Sequence, residues 1–140
     1  MFTIALAGVV PLSFSSTTAY ASSMNTQTVS LKYSNVMVEN ADQVDIQRKE
    51  TSNSVTVNVY DKQTGNLLNT YGEIVRPYTP LGISVNAGEY SIMTRFTEKN
   101  EGGGIITRLE LQLQLYNSGS FRQINQILSK NFLLKLQAQR

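Results

Sequence analysis

The sequence predicts an all-β, mainly antiparallel sandwich of about seven strands, and three observations carry that expectation. From Ser54 to Asp61, Val55, Val57 and Val59 alternate with Thr56, Asn58 and Tyr60, the period of a strand with one buried face. The same alternation returns at Leu109, Leu111, Leu113 and Leu115 against Glu110, Gln112, Gln114 and Tyr116, so these leucines are expected to point into the core. Between such runs, clusters of Asn, Asp, Gly and Pro recur at spacings of roughly ten residues.

The chain opens on an almost unbroken apolar stretch, Phe2 to Phe14, followed by Ser15 to Thr18 and the tripeptide Ala19-Tyr20-Ala21. An apolar run, a polar spacer and a small-x-small tripeptide form the pattern of a secretory signal peptide. Ala19 and Ala21 fit the peptidase pocket, and cleavage is expected before Ser22. A run of roughly a dozen residues falls short of the about 20 that span a bilayer. The pattern departs from the usual one because no Lys or Arg precedes Lys32. Residues 1–21 are thus read as a signal peptide, and residues 22–140 as one secreted, extracellular domain.

Within that domain, Val29, Leu31 and Tyr33 alternate with Ser30 and Lys32, and Val36-Met37-Val38 either extends that strand or begins another. Asn40-Ala41-Asp42 reads as a turn, Val44-Asp45-Ile46 as a short strand, and Glu50 to Ser54 as a turn. After the Ser54 to Asp61 strand, Asp61-Lys62-Gln63-Thr64-Gly65-Asn66 supplies hairpin chemistry, with Gly65 free to take positive φ. Leu67 to Val75 is the return strand, and Pro77 and Pro80 bracket a loop. Gly82 to Val85 enters another strand, and Asn86 to Glu89 is a turn. In the run from Tyr90 to Phe96, Tyr90, Ile92, Thr94 and Phe96 share a face. The segment from Glu98 to Gly104, with three consecutive glycines, reads as a hairpin loop.

The C-terminal segment follows the turn Asn117-Ser118-Gly119-Ser120. Phe121, Ile124, Ile127 and Leu128 recur at helical spacing, and Ser120 with Gln123 would form a capping box. This predicts a helix over at least part of residues 121–137, with a closing strand at Phe132 to Leu136 as the alternative.

The stretches Val55 to Gly65 and Val85 to Ile92 resemble prealbumin-like, CnaB-type β-sandwich modules, which pair a D-x-x-T-G hairpin with a later small-x-G-x-Y turn. The resemblance covers about 40 residues and implies an Ig-like or prealbumin-like sandwich. Members of that family serve as structural stalks and as carbohydrate or surface modules of Gram-positive bacteria. It also implies a test for a Lys–Asn isopeptide bond, in which Lys32, Glu89 and Asn131 could be cast; ordinary solvated surface residues are the alternative. Separately, Tyr116 to Asn125 resembles a segment of small uncharacterised secreted proteins of Gram-positive bacteria.

Composition excludes more than it assigns. A formal charge of +2 is too small to argue for nucleic acid. The chain has no cysteine and no histidine, so thiol chemistry, disulfides and the usual ligands of zinc are absent, and so is the side chain best suited to proton transfer near neutral pH. The carboxylate pairs Asp42/Asp45 and Glu98/Glu101 lie in loops, and Asn40-x-Asp42-x-x-Asp45 is a calcium loop only as the sharper of two readings. No catalytic residue, cofactor site or metal site is therefore expected. Tyr60, Tyr71, Tyr78 and Tyr90 would form a ligand platform if they shared an exposed face.

The leading expectation is a non-catalytic binding or structural module at the bacterial cell surface, with cell-wall glycan or a surface protein as partner. The alternative is a membrane-active or self-assembling, pore- or bacteriocin-like protein built around the Leu109 to Tyr116 alternation, and membrane contact belongs to that alternative alone.

Overall fold

The computed structural model describes residues 25–82 and 89–137. The expected cleavage site at Ala19, Ala21 and Ser22, and the strand entry and turn across residues 83–88, lie outside the described residues. The described residues form eight strands and no helix. These are β1 (Thr26–Ser30), β2 (Asn35–Glu39), β3 (Val44–Glu50), β4 (Ser54–Asp61), β5 (Leu67–Pro77), β6 (Tyr90–Gly102), β7 (Ile105–Ser118) and β8 (Phe121–Leu136). β1 and β2 pair as a two-stranded antiparallel hairpin, and β3 to β8 form a six-stranded antiparallel sheet in sequential order. Val36 begins a second strand rather than extending the first, because residues 31–34 turn the chain, with Leu31 N–H donating to Ser34 O at 2.7 Å.

Directly opposed residues in an antiparallel ladder point to the same side of the sheet. The registers therefore define rows that cross the sheet on one face. One such row is Glu50, Val55, Glu73, Arg95, Leu111 and Lys130, and the next is Arg48, Val57, Tyr71, Thr97, Leu109 and Phe132. The β1–β2 hairpin lies over the β3–β5 half of this inner face. Val29, Leu31, Val36 and Val38 from the hairpin and Val44, Val55, Val57 and Val59 from the sheet form one buried cluster, with Ile46, Leu68 and Tyr71 packed against it. The result is the expected two-layered β class.

Polar groups fix the hairpin in place. Glu73 is fully buried in the inner face. Its carboxylate accepts from Tyr33 N–H at 2.7 Å and from the Ser34 hydroxyl, both in the β1–β2 turn. Arg95, opposite Glu73 in the ladder, donates to Ser34 Oγ at 2.8 Å and to Asn35 O at 3.4 Å. On the far side, Arg48 Nε of β3 donates to Ser30 O at 2.8 Å.

Two features shape the sheet. On the outer face Gly72 opposes Phe96, whose ring lies where a Gly72 side chain would stand: an added Cβ would fall 2.3 Å from Phe96 Cζ. The Arg108 guanidinium stacks 4.0 Å from the centre of that ring and bridges Glu98 and Glu110, each at 2.8 Å. At the β4–β5 hairpin, Asp61 Oδ1 accepts from Gln63 N–H, Thr64 N–H and the Thr64 hydroxyl, and Gly65 takes φ 72° as its place in the turn requires.

The helix expected within residues 121–137 is not formed; β8 runs from Phe121 to Leu136 as one strand. Its cause is visible in the register. Leu115 opposes Ile124 and Gln114 opposes Gln126, while Leu113 opposes Ile127 and Gln112 opposes Ser129, so Asn125 and Leu128 are bulged. Each bulge inserts one residue into a period of two. Ile124, Ile127 and Lys130 therefore share the inner face at steps of three, which imitates helical spacing in the sequence. The 14-residue β7 offers a ladder along its whole length, and the ladder wins.

Three outcomes are expected. Glu73→Ala leaves the Tyr33 N–H and the Ser34 hydroxyl without their acceptor, and urea denaturation should show a loss of about 2–4 kcal/mol, with Glu73→Gln losing less. Gly72→Ala should cost about 1–3 kcal/mol by forcing Phe96 aside, and most of that cost should vanish in the Phe96→Ala background. The Thr64 and Gln63 hydrogen bonds hold the Asp61 carboxyl below its ordinary value. A lowered native pKa gives stability that is present at neutral pH and lost as the pH falls through the native value. The stability difference between the wild type and Asp61→Asn should therefore narrow below about pH 4 in denaturation curves taken across pH.

Candidate interaction surface

The β1–β2 hairpin ends short of β7 and β8, and this leaves half of the inner face without a second layer among the described residues. The strands there carry an apolar row each. On β7 the row is Ile105, Leu109, Leu111, Leu113 and Leu115, interrupted by Thr107; on β8 it is Ile124, Ile127, Phe132, Leu134 and Leu136, interrupted by Lys130. Leu113 and Leu115 are buried with Met93, against Val75 and Leu111. Toward the other end the row opens to solvent: Leu109 is 58% exposed, Phe132 65%, Leu134 59% and Leu136 77%. The leucine row expected to lie wholly in the core is thus only half covered, since nothing among the described residues lies over Leu109. A shallow depression of about 490 Å³ sits here, lined by Thr97, Leu109, Leu111 and Phe132 together with Arg95, Glu110 and Lys130.

The electrostatics of this half are one-sided. β8 carries Arg122, Lys130 and Lys135 and no carboxylate, and the inner-face row of β7 has no charged residue. Arg122 lies 4.1 Å from the centre of the Tyr33 ring, at the tip of the hairpin. Lys135, on the outer face, reaches Glu98 at 3.5 Å. Lys130 is exposed and sits between Leu111 and the apolar end of β8. The outer face is different in kind, with Arg108 held between Glu98 and Glu110. Burial opposes the Arg108 charge, yet the hydrogen bonds to Glu110 and Glu98 outweigh it and hold the guanidinium above its ordinary value.

The four tyrosines singled out in the sequence do not share one face. Tyr71 points inward against the valine cluster. Tyr60, opposite Asp45, and Tyr90, opposite Tyr116, belong to the outer face. The Tyr90 and Tyr116 rings are 5.4 Å apart and tilted by 59°. Tyr78 follows β5, its N–H donating to Tyr90 O at 3.0 Å. Lys32 Nζ donates to Ser52 O at the β3–β4 turn, whereas Asn131 lies on β8 at the opposite sheet edge, about 24 Å away at the usual strand spacing. Glu101 is engaged by Lys99 and Thr107, whose hydrogen bonds keep its carboxyl below the ordinary range. Among the described residues no group of three acidic side chains gathers to hold a metal ion.

The exposed part of the surface was hidden in the sequence because a strand's apolar row reads alike whether or not another layer covers it. One signal was available. Phe132-Leu133-Leu134 follows a row that already has four leucines, and the hairpin contributes only Val29, Leu31, Val36 and Val38 to cover them all. No protein family, no curated protein and no solved structure matches this chain.

Replacing Leu109 and Phe132 with serine should lower the fluorescence of a bound apolar dye several-fold. The free energy of unfolding should fall by no more than about 1 kcal/mol, because both side chains are more than half exposed.

Proposed function

We propose that this chain is a secreted, non-catalytic binding or structural module acting at the bacterial cell surface, with the β7–β8 half of the inner face as its working surface. One observation carries the reading. Leu109, Phe132, Leu134 and Leu136 are contiguous by register and more than half exposed on a sheet whose other half is covered in the ordinary way. Apolar patches of this kind on a folded domain mark sites of association.

Export is supported by the apolar run Phe2 to Phe14 and the tripeptide ending at Ala21. The CnaB-type turn motifs support a surface role. Against catalysis, the buried and half-buried charged groups are engaged in holding the fold: Glu73 with the hairpin turn, and Arg108 with Glu98 and Glu110.

The test is retention of the purified chain by isolated bacterial cell envelopes. Wild type should be retained, the Leu109→Ser/Phe132→Ser variant should be retained at least about tenfold more weakly, and the outer-face variant Gln47→Ser should match wild type. Equal retention of all three proteins would remove the β7–β8 face from its assigned role.

A further inference from the structure

The exposed half-sheet joins two properties that seldom occur together: a large apolar surface and, at Lys130, a cation set among apolar neighbours on strands whose inner rows carry no acid. Ile105, Leu109, Ile124, Ile127, Phe132, Leu134 and Leu136 are each 36–77% exposed. Together they equal roughly four wholly exposed large side chains, more than an ordinary monomer presents in one place. Resting on the functional reading above, we infer that this face binds an anionic lipid surface, with the apolar rows entering the headgroup layer and Lys130 meeting lipid phosphates.

Charge decides between the occupants. A second copy stacked face to face would bury the partner's Lys130 along with its own, and neither β8 nor the inner row of β7 has an acid to neutralise it. Burying an unpaired ammonium in an apolar interface is strongly unfavourable. Edge-to-edge pairing through β8 is opposed by the bulges at Asn125 and Leu128, which interrupt the ladder, and by a strand whose only charges are positive. A lipid surface meets neither obstacle. A lysine at the boundary extends its apolar stem along Leu111 and Phe132 and keeps its ammonium among the phosphates. The depression over Leu109, Leu111 and Phe132 has Lys130 in its lining, and the one carboxylate residue there, Glu110, is held by Arg108, a layout that suits an acyl chain below an anionic head.

Vesicle sedimentation of the full chain tests this, using vesicles of phosphatidylcholine alone and with about one quarter phosphatidylglycerol. Wild type should bind the anionic vesicles at least about tenfold more tightly, and raising salt from about 0.05 to 0.5 M should remove most of that difference. Lys130→Gln should weaken binding about fivefold, the effect of about 1 kcal/mol per cation near such a surface. Leu109→Ser/Phe132→Ser should abolish binding, while Gln47→Ser, on the outer face of β3, should leave it unchanged. Circular dichroism of each variant ensures that an unfolded protein is not counted. A folded wild type that binds neither vesicle overturns the lipid assignment. If it instead dimerises, and the double serine variant does not, the occupant is a second copy and the surface keeps its role in association. If it neither binds vesicles, nor dimerises, nor adheres to envelopes, the functional reading falls as well.

Discussion

Glu73 sits in the middle of a sheet face, wholly removed from solvent, and everything above it is arranged to justify that position. Its two oxygens accept from the Tyr33 N–H and the Ser34 hydroxyl, so the hairpin turn cannot shift without leaving a buried carboxylate unsatisfied. Arg95 completes the arrangement by holding Ser34 and Asn35 from the neighbouring strand. Valine packing between the layers supplies most of the stabilisation, but valines on two flat faces allow sliding. The carboxylate gives the hairpin one position, and that position determines which half of the sheet is covered and which is left open.

The division of the inner face follows from strand lengths as well. β1 and β2 are five residues each, about 17 Å, whereas β7 and β8 are 14 and 16 residues. A short hairpin anchored over Glu73 cannot also cover Leu109 and Phe132. On the outer face the sheet needs no second layer, because its most apolar member, Phe96, is sheltered by Gly72 on one side and by the Arg108 guanidinium on the other. Arg108 is in turn held by two carboxylates. The two faces thus meet solvent by different means, and the inner one presents the larger continuous stretch of bare hydrocarbon.

Much of the architecture was legible in the sequence. β4 appears with the expected residues, Ser54 to Asp61, because strict alternation and the Asp61-to-Asn66 turn define it locally. The expected face shared by Tyr90, Ile92, Thr94 and Phe96 is present, since each opposes an even-numbered residue of β7. What failed was whatever depends on register. Glu73 reads locally as an outward polar residue, and only the partners Val55 and Arg95 place it under the hairpin. The Gly72–Phe96 contact joins residues 24 apart that nothing in the sequence pairs. β8 looked helical because its bulges move inner-face residues to steps of three. Of the candidate site, the leucine row was legible as a row; its exposure was not.

The paired bulges of β8 have a further consequence, for the kinds of change the strand can absorb. Each shifts the inward-outward phase by one residue, and together they restore it, so Ile124 and Phe132 share the inner face with even numbers while Ile127, between the bulges, shares it with an odd one. A lone insertion or deletion at a paired position between them would leave one flank inverted, sending either Ile124 or Phe132, Leu134 and Leu136 to the polar side. Loss of a bulged residue, Asn125 or Leu128, would keep every paired side chain on its present side. The strand therefore tolerates the loss of one residue at either bulge and not at its paired positions, a rule that the alternation of β7 alone would not have imposed.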